Sequence, residues 1–206
     1  MSYTAIVDYG VGNLFSIASS LKYLDIEIVV TNDAEVLKNA SHIILPGVGA
    51  FGDAMEKLKS TGLVPVLNDL VKEGKPIMGI CLGMQMLLEK SFEYGEHCGL
   101  GLIGGEIRPI SETIPAGLKI PHIGWNPLIF RGEKSPIFKY INDGDCVYFV
   151  HSYHGTNCEE NTIATTEYGA ILTAAVARDN VFGCQFHPEK SGEVGLSILR
   201  AFNELR

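Results

Sequence analysis

The first half of the chain alternates short apolar runs with stretches of helical periodicity. An apolar run at 3–9 reads as a strand, followed by a helix through Leu24 that Asn13 could cap. Residues 27–30 are β-branched, and Asp33 could cap a short helix to about Asn39. A strand at 42–45 closes on Pro46-Gly47, and a helical stretch at 53–73 is expected to break near Gly62 or Pro65. Residues 77–80 read as a fully buried strand, and 82–89 have helical composition. Continuous apolar strands alternating with helices predict a parallel sheet covered on both faces.

The second half is more β-rich and less periodic. Strands are expected at 106–110, 146–150, 162–166, 174–178 and 181–186, with a final helix at 192–205. Arg178-Asp179-Asn180 reads as a hairpin turn, so the last two strands should be antiparallel. The predicted fold is α/β: a flavodoxin-like three-layer sandwich with a mainly parallel sheet and a β-rich second half. No repeat, low-complexity tract or linker divides the chain, so residues 1–206 read as one domain.

Composition narrows the partners. Lys+Arg number 16 against 24 Asp+Glu, a net charge of −8, and no basic block exists to neutralise phosphates. Nucleic acid and anionic membranes are therefore unexpected partners. The longest apolar run, 76–88, is too short to span a bilayer and contains Gln85. The first residues lack the basic flank and apolar core of a signal peptide, so a cytoplasmic location is expected. The five cysteines are odd in number and never spaced CxxC, which argues against a disulfide framework or zinc site.

The candidate chemistry centres on Gly79-Ile-Cys-Leu-Gly83, where a buried strand runs into a helix with Cys81 at the junction. This is the pattern of a nucleophile elbow with sulfur in place of oxygen. Its glycines are needed because a Cβ at either place would clash. A helix N-terminus favours thiolate, and the N–H of Leu82 would point to where an oxyanion forms. A lone buried cysteine is more often plain packing, but the strand–helix context is met.

Of six histidines, His187 is the expected proton shuttle. It ends a strand, is held extended by Pro188, and has Glu189 two residues on to orient its ring. His42 reads as structural and His97 as a surface-loop residue. His151-x-x-His154 suggests a metal, but strand geometry sends the two rings to opposite faces. No metal site and no cofactor are expected.

G-I-C-L-G-M-Q together with Q-F-H-P-E-K-S, the catalytic pair 106 residues apart, resembles the class I (triad-type) glutamine amidotransferases over essentially the whole chain. The resemblance implies that Cys81 attacks the side-chain amide of L-glutamine, with His187 as base then acid and Glu189 as its orienter. It also implies that no synthase domain is fused to the chain. The loop Leu45-Pro-Gly-Val-Gly-Ala-Phe-Gly52 contains a literal G-x-G-x-x-G. A dinucleotide reading is weak, because the loop follows the third strand and no acidic strand end lies 20 residues on. The resemblance instead implies that Gly47, Val48 and Gly49 are site residues, with Val48 the second oxyanion donor. It places Ser152 and Tyr153 in the glutamine pocket through their backbone. Gln85, one turn after Cys81, is expected to hydrogen-bond substrate.

Pro121-His-Ile-Gly-Trp-Asn126, with D-Y-G-x-G-N at 8–13, is similar to the branch of that family that serves imidazole glycerol phosphate synthases as glutaminase subunits. That likeness implies a (β/α)8 cyclase as partner in a heterodimer, with Asn13, Trp125, Asn126 and Lys190 on the face where ammonia passes. Two other readings stay open at this point. One is a class I glutaminase serving anthranilate or nucleotide synthesis; the other is a flavodoxin-like nucleotide-binding module with an incidental cysteine.

Overall fold

A computed structural model describes residues 2–206. The first half runs β1 (Thr4–Val7), α1 (Leu14–Tyr23), β2 (Ile28–Thr31), α2 (Ala34–Asn39), β3 (His42–Leu45), α3 (Phe51–Ser60), α4 (Leu63–Lys72), β4 (Ile77–Ile80) and α5 (Leu82–Leu87). The second half runs β5 (Lys90–Ser91), β6 (His97–Cys98), β7 (Glu106–Pro109), β8 (His122–Pro127), β9 (Ile129–Phe130), β10 (Cys146–His151), β11 (Tyr153–Thr156), β12 (Thr162–Glu167), β13 (Ile171–Arg178), β14 (Val181–Cys184) and α6 (Gly192–Asn203).

Eight strands form the central sheet in the order β2-β1-β3-β4-β14-β13-β12-β9. Pairing is parallel from β2 through β14 and antiparallel from β14 to β9. Alternation within strands sorts the core into two layers. Ala5, Val7, Ile43, Leu45 and Ile77 pack with α2, α3 and α4. Ile6, Ile44, Met78 and Ile80 face the other way, toward Ile17 and Leu21 of α1 and Ile198, Leu199 and Phe202 of α6. Each fully buried side chain of this kind stabilises the fold by about 1.5–3 kcal/mol. The predicted α/β sandwich, with its parallel sheet and antiparallel second half, is the observed fold.

Local details refine the sequence reading. Asp33 caps α2, accepting from the N–H groups of Glu35 and Val36. Asn13 occupies the cap position of α1, but its side chain makes no capping hydrogen bond. The long helical stretch breaks at Gly62, whose φ is +73°, and Pro65 is absorbed in the first turn of α4. β8 was not among the predicted strands. Its Gly-Trp-Asn-Pro composition hides the pattern, and it pairs with β10 outside the central sheet. β11, β7, β5 and β6 form a third, small sheet beside the site.

β3, β4 and β14 are neighbours, so the loops after their C-terminal ends meet. There a turn at Pro46–Gly49 lies directly on α5. A Cβ on Gly47 would stand 2.6 Å from the Gly83 nitrogen, and one on Gly83 would stand 1.9 Å from the Leu45 carbonyl oxygen. A Cβ on Gly79 would meet the Gly83 carbonyl at 2.5 Å. All these neighbours are backbone, which cannot rotate away.

Gly83→Ala should therefore cost at least ~3 kcal/mol in urea unfolding, the upper range of overpacking. Gly62→Ala, with open space around it, should cost only about 1–2 kcal/mol for its left-handed backbone. Equal stability of Gly83→Ala and the parent chain would contradict this packing.

Candidate active site

Cys81 sits where β4 passes into α5, with φ +55° and ψ −111°. A non-glycine residue in this region costs on the order of 1–3 kcal/mol and persists only where its surroundings over-determine it. Here the Cys81 N–H donates to the Cys184 carbonyl at 2.7 Å, and its own carbonyl accepts from Gln85 N–H at 3.2 Å. The side chain is thereby lifted to the floor of a cleft of about 380 Å³.

That cleft is lined by Val48, Gly49, Cys81, Leu82, Gln85, Glu93, Pro121, Val150, His151, Ser152, Tyr153, His187 and Lys190. It brings together most of the residues expected from sequence. Gly47 is the exception on the loop: it does not line the cleft but packs behind it, against the Leu82–Gly83 backbone. Its role is to let the turn approach, and Val48 and Gly49 are the loop residues that face the space.

His187 follows β14 and is fixed from behind. Its N–H donates to the Tyr148 carbonyl, and its own carbonyl accepts from Ser191 Oγ at 2.6 Å. Its Nδ1 lies 2.8 Å from Glu189 Oε1, with the Glu189 side chain fully buried. Burial opposes charge on the ring, but hydrogen bonds and charge from Cys81 and Glu189 outweigh it. Together they lift the His187 pKa to about 9. Cys81, His187 and Glu189 thus form one electrostatic unit.

Gln85 is buried and spans two acceptors: its Nε2 donates to the Tyr153 carbonyl at 3.3 Å and to Gln185 Oε1 at 3.0 Å. Its Nε2 braces the cleft wall, while the residue itself lines the cleft in which a substrate hydrogen bond was expected of it. Two residues were missed by sequence reasoning. Gln185, fully buried, points its Nε2 at Cys81 Sγ from 3.9 Å. An amide inside the apolar strand 181–186 was the available signal. Glu93 is the one carboxylate lining the cleft, and its Oε2 accepts from Phe51 N–H at 2.5 Å. Burial raises its pKa, chiefly by desolvation. Lying in an irregular segment, it had no local signature.

The expected partner-facing residues divide. Lys190 lines the cleft and sits 5.9 Å above the Tyr148 ring, which in turn meets half-exposed Trp125 edge-on. Asn126 binds His122 and the Glu167 carbonyl instead of opening into the cleft. Asn13 follows Gly12, which packs against Pro46 of the glycine turn.

Of the remaining histidines and cysteines, His151 alone lines the cleft with Cys81. His42 is buried between Ser41 and the Leu205 carbonyl. His97 belongs to β6, not to a loop, and lines a neighbouring cleft with Glu93. His151 and His154 contact different partners, and among the described residues no group of three potential ligands is placed to hold a metal ion. All five thiols are free; Cys158 and Cys184 are buried, Cys98 and Cys146 exposed. No helix among the described residues is long and apolar enough to cross a membrane.

The family model described as "Glutamine amidotransferase class-I" matches residues 5–204, and the chain belongs to that family. Among its relatives, "Imidazole glycerol phosphate synthase subunit HisH" of Caldanaerobacter subterraneus subsp. tengcongensis is 49% identical over 97% of each chain. The HisH subunit of Lactococcus lactis is 47% identical over 99% of each. Solved structures share the fold at lower identity. PurLQS from Thermotoga maritima has a chain with a TM-score of 0.75 at 22% identity, covering 98% of each chain. The glutaminase domain of Trypanosoma brucei CTPS with bound acivicin has a TM-score of 0.69 at 14% identity, covering 100% of this chain and 95% of the other.

The His187 charge has a testable consequence. Its folded pKa lies above the unfolded value of about 6.5. The stabilisation is thus fully present below that value and is lost as pH rises through about 9. Glu189→Gln should lower the His187 midpoint in an NMR titration. An unchanged midpoint would mean that Glu189 does not hold the charge.

Proposed function

We propose that this chain is the glutaminase subunit of an imidazole glycerol phosphate synthase, hydrolysing L-glutamine through a Cys81 thioester. The observation that carries the reading is the strained Cys81 opening onto a cleft that also holds the His187–Glu189 pair. Identity near 47–49% with subunits of that name supports the pathway.

In this scheme Cys81 and Glu189 hold His187 charged at neutral pH. Cys81 Sγ attacks the carboxamide carbon of glutamine. The oxyanion that forms takes N–H donors from Leu82, in the unpaired first turn of α5, and from Val48. His187 gives its proton to the departing nitrogen, and ammonia leaves. Water then attacks the thioester with neutral His187 as base, releasing glutamate. Glu189 orients the ring and stabilises its charged form. Gln185 Nε2 adds a donor toward the sulfur. No step needs a metal or cofactor.

Glu93, with the backbone of Gly49, Ser152 and Tyr153, is suited to the α-amino acid end of glutamine. A buried carboxylate matches the α-ammonium charge. Ammonia in neutral water becomes protonated and stops being a nucleophile, so it must be passed directly onward. The partner is a (β/α)8 cyclase subunit, bound as a heterodimer on the face that carries Asn13, Trp125, Asn126 and Lys190. Residues 1–206 act as one amidotransferase domain in the cytoplasm, with no nucleic acid or membrane partner.

Cys81→Ala should abolish glutamine hydrolysis in the presence of a cyclase subunit; undiminished release of ammonia would overturn the mechanism. His187→Ala should lower kcat more than Glu189→Gln. Glu93→Gln should raise KM for glutamine roughly 10- to 100-fold, the worth of a charged hydrogen bond, with a smaller change in kcat. A Glu93→Gln enzyme with unchanged KM would remove Glu93 from the substrate site.

A further inference from the structure

Behind the cleft, four hydrogen bonds run in series between two carbonyl oxygens. His151 Nδ1 lies 2.8 Å from the Tyr153 carbonyl. His151 Nε2 lies 3.0 Å from His122 Nδ1, and His122 Nε2 lies 2.8 Å from Asn126 Oδ1. Asn126 Nδ2 then donates to the Glu167 carbonyl at 3.0 Å. Each link needs one hydrogen, and both end atoms only accept. Two neutral imidazoles supply one hydrogen each, and the Asn126 amide supplies one to whichever neighbour its nitrogen faces. The series is short by one, and turning the amide round does not change the count. With Asn126 Oδ1 toward His122, as observed, one extra proton completes it.

The structure also indicates where that proton sits. His151 must donate to Tyr153 through Nδ1, and either ring could hold the extra hydrogen between them; the deeper burial of His151 leaves its Nε2 as acceptor and gives His122 the donor role at both nitrogens. His122 is sandwiched between aromatic faces, Phe149 with centroids 5.1 Å apart and Tyr168 at 4.2 Å, both stacked. Such faces stabilise a cation. Burial works in the opposite direction, lowering the pKa of His122 and bringing that of His151 to about 3. His154 and the raised His187 also disfavour charge on His151. Asn126 and the Tyr168 ring are the other polar or titratable groups that meet His122. The extra proton is thus held only while all four links are made. When it leaves, one link must open, and the outermost, Asn126 to Glu167, is the solvent-exposed one.

We propose that His122 and His151 are a one-proton positioning pair that ties the cleft wall at Tyr153 to Asn126 on β8, locked with the proton and slack without it. The Tyr153 carbonyl also accepts from Gln85 of α5, so the pair shares an anchor with the nucleophile's own helix. On the glutaminase reading given above, the pair couples glutamine binding to the strand that carries Trp125.

The test is a long-range ¹H–¹⁵N correlation of the histidine rings in the full chain, labelled at histidine, between about pH 5 and 8, the range of histidine switching. His122 should carry hydrogens on both nitrogens at low pH. It should lose one as pH rises, with His122 and His151 reporting one shared midpoint. Asn126→Asp, which sets a carboxylate against His122, should raise that midpoint. Two rings in fixed neutral tautomers throughout, or two independent midpoints, would overturn the proposal. In the activity arm, KM for glutamine should rise about fivefold across the shared midpoint, the worth of one hydrogen bond. In His122→Gln, whose amide can donate on only one side of the series and does not titrate, KM should be raised and flat over the same range. A His122→Gln enzyme that keeps the parent pH profile of KM would remove the positioning role. The NMR arm needs no turnover, so an inactive chain would count against the role of Cys81 and not against the pair.

Discussion

The approach of the Pro46–Gly49 turn to the backbone of Leu82 and Gly83 sets the geometry of everything around it. Three chain segments meet there with no room for a single Cβ at Gly47, Gly79 or Gly83. Because those contacts are backbone against backbone, the turn and the elbow hold each other as one rigid body. The strained conformation of Cys81 is stable only inside that clamp. The same contact keeps Val48 and Leu82, the proposed oxyanion donors, both on the lining of the cleft. A gap of an ångström between turn and elbow would leave the thiol exposed and the donors misdirected.

Electrostatics then act on this fixed frame. His187 follows closely on β14, the strand beside β4, so its ring reaches Cys81 without a flexible linker. Burial alone would discharge it. The Glu189 carboxylate and Cys81 reverse that balance and keep it protonated at neutral pH. Gln85 and His151, which line the cleft, are held from behind by Gln185 and His122 and share the Tyr153 carbonyl as acceptor. A cleft of buried polar groups of this kind is rigid when every link is satisfied and loosens when one is not.

Local patterning made much of this legible. The strand–Cys–helix junction and the His-Pro-Glu segment are contiguous, and their roles follow from short-range geometry. The parallel half of the sheet follows from short, nearly continuous apolar runs such as 43–45 and 77–80. What escaped detection depends on distant pairing. β8 is a strand only because β10 lies beside it, since Gly124, Asn126 and Pro127 have little strand preference of their own. Glu93 reaches the cleft by a path that its neighbours in sequence do not encode. The partner of Gln85, Gln185, lies 100 residues away, so the brace that the two amides form was invisible. Gly47 was read as a substrate contact because proximity to the nucleophile was legible, whereas the direction of approach was not.

The central claim is that the clamped, strained Cys81 is the atom that takes the glutamyl group. The direct measurement is peptide mapping of the protein after rapid acid quench with isotopically labelled glutamine. The account predicts label on the peptide that contains Cys81, on no other cysteine, and none in Cys81→Ala. Label on Cys98, Cys146, Cys158 or Cys184, or turnover of glutamine with no trapped thioester at any time point, would contradict it.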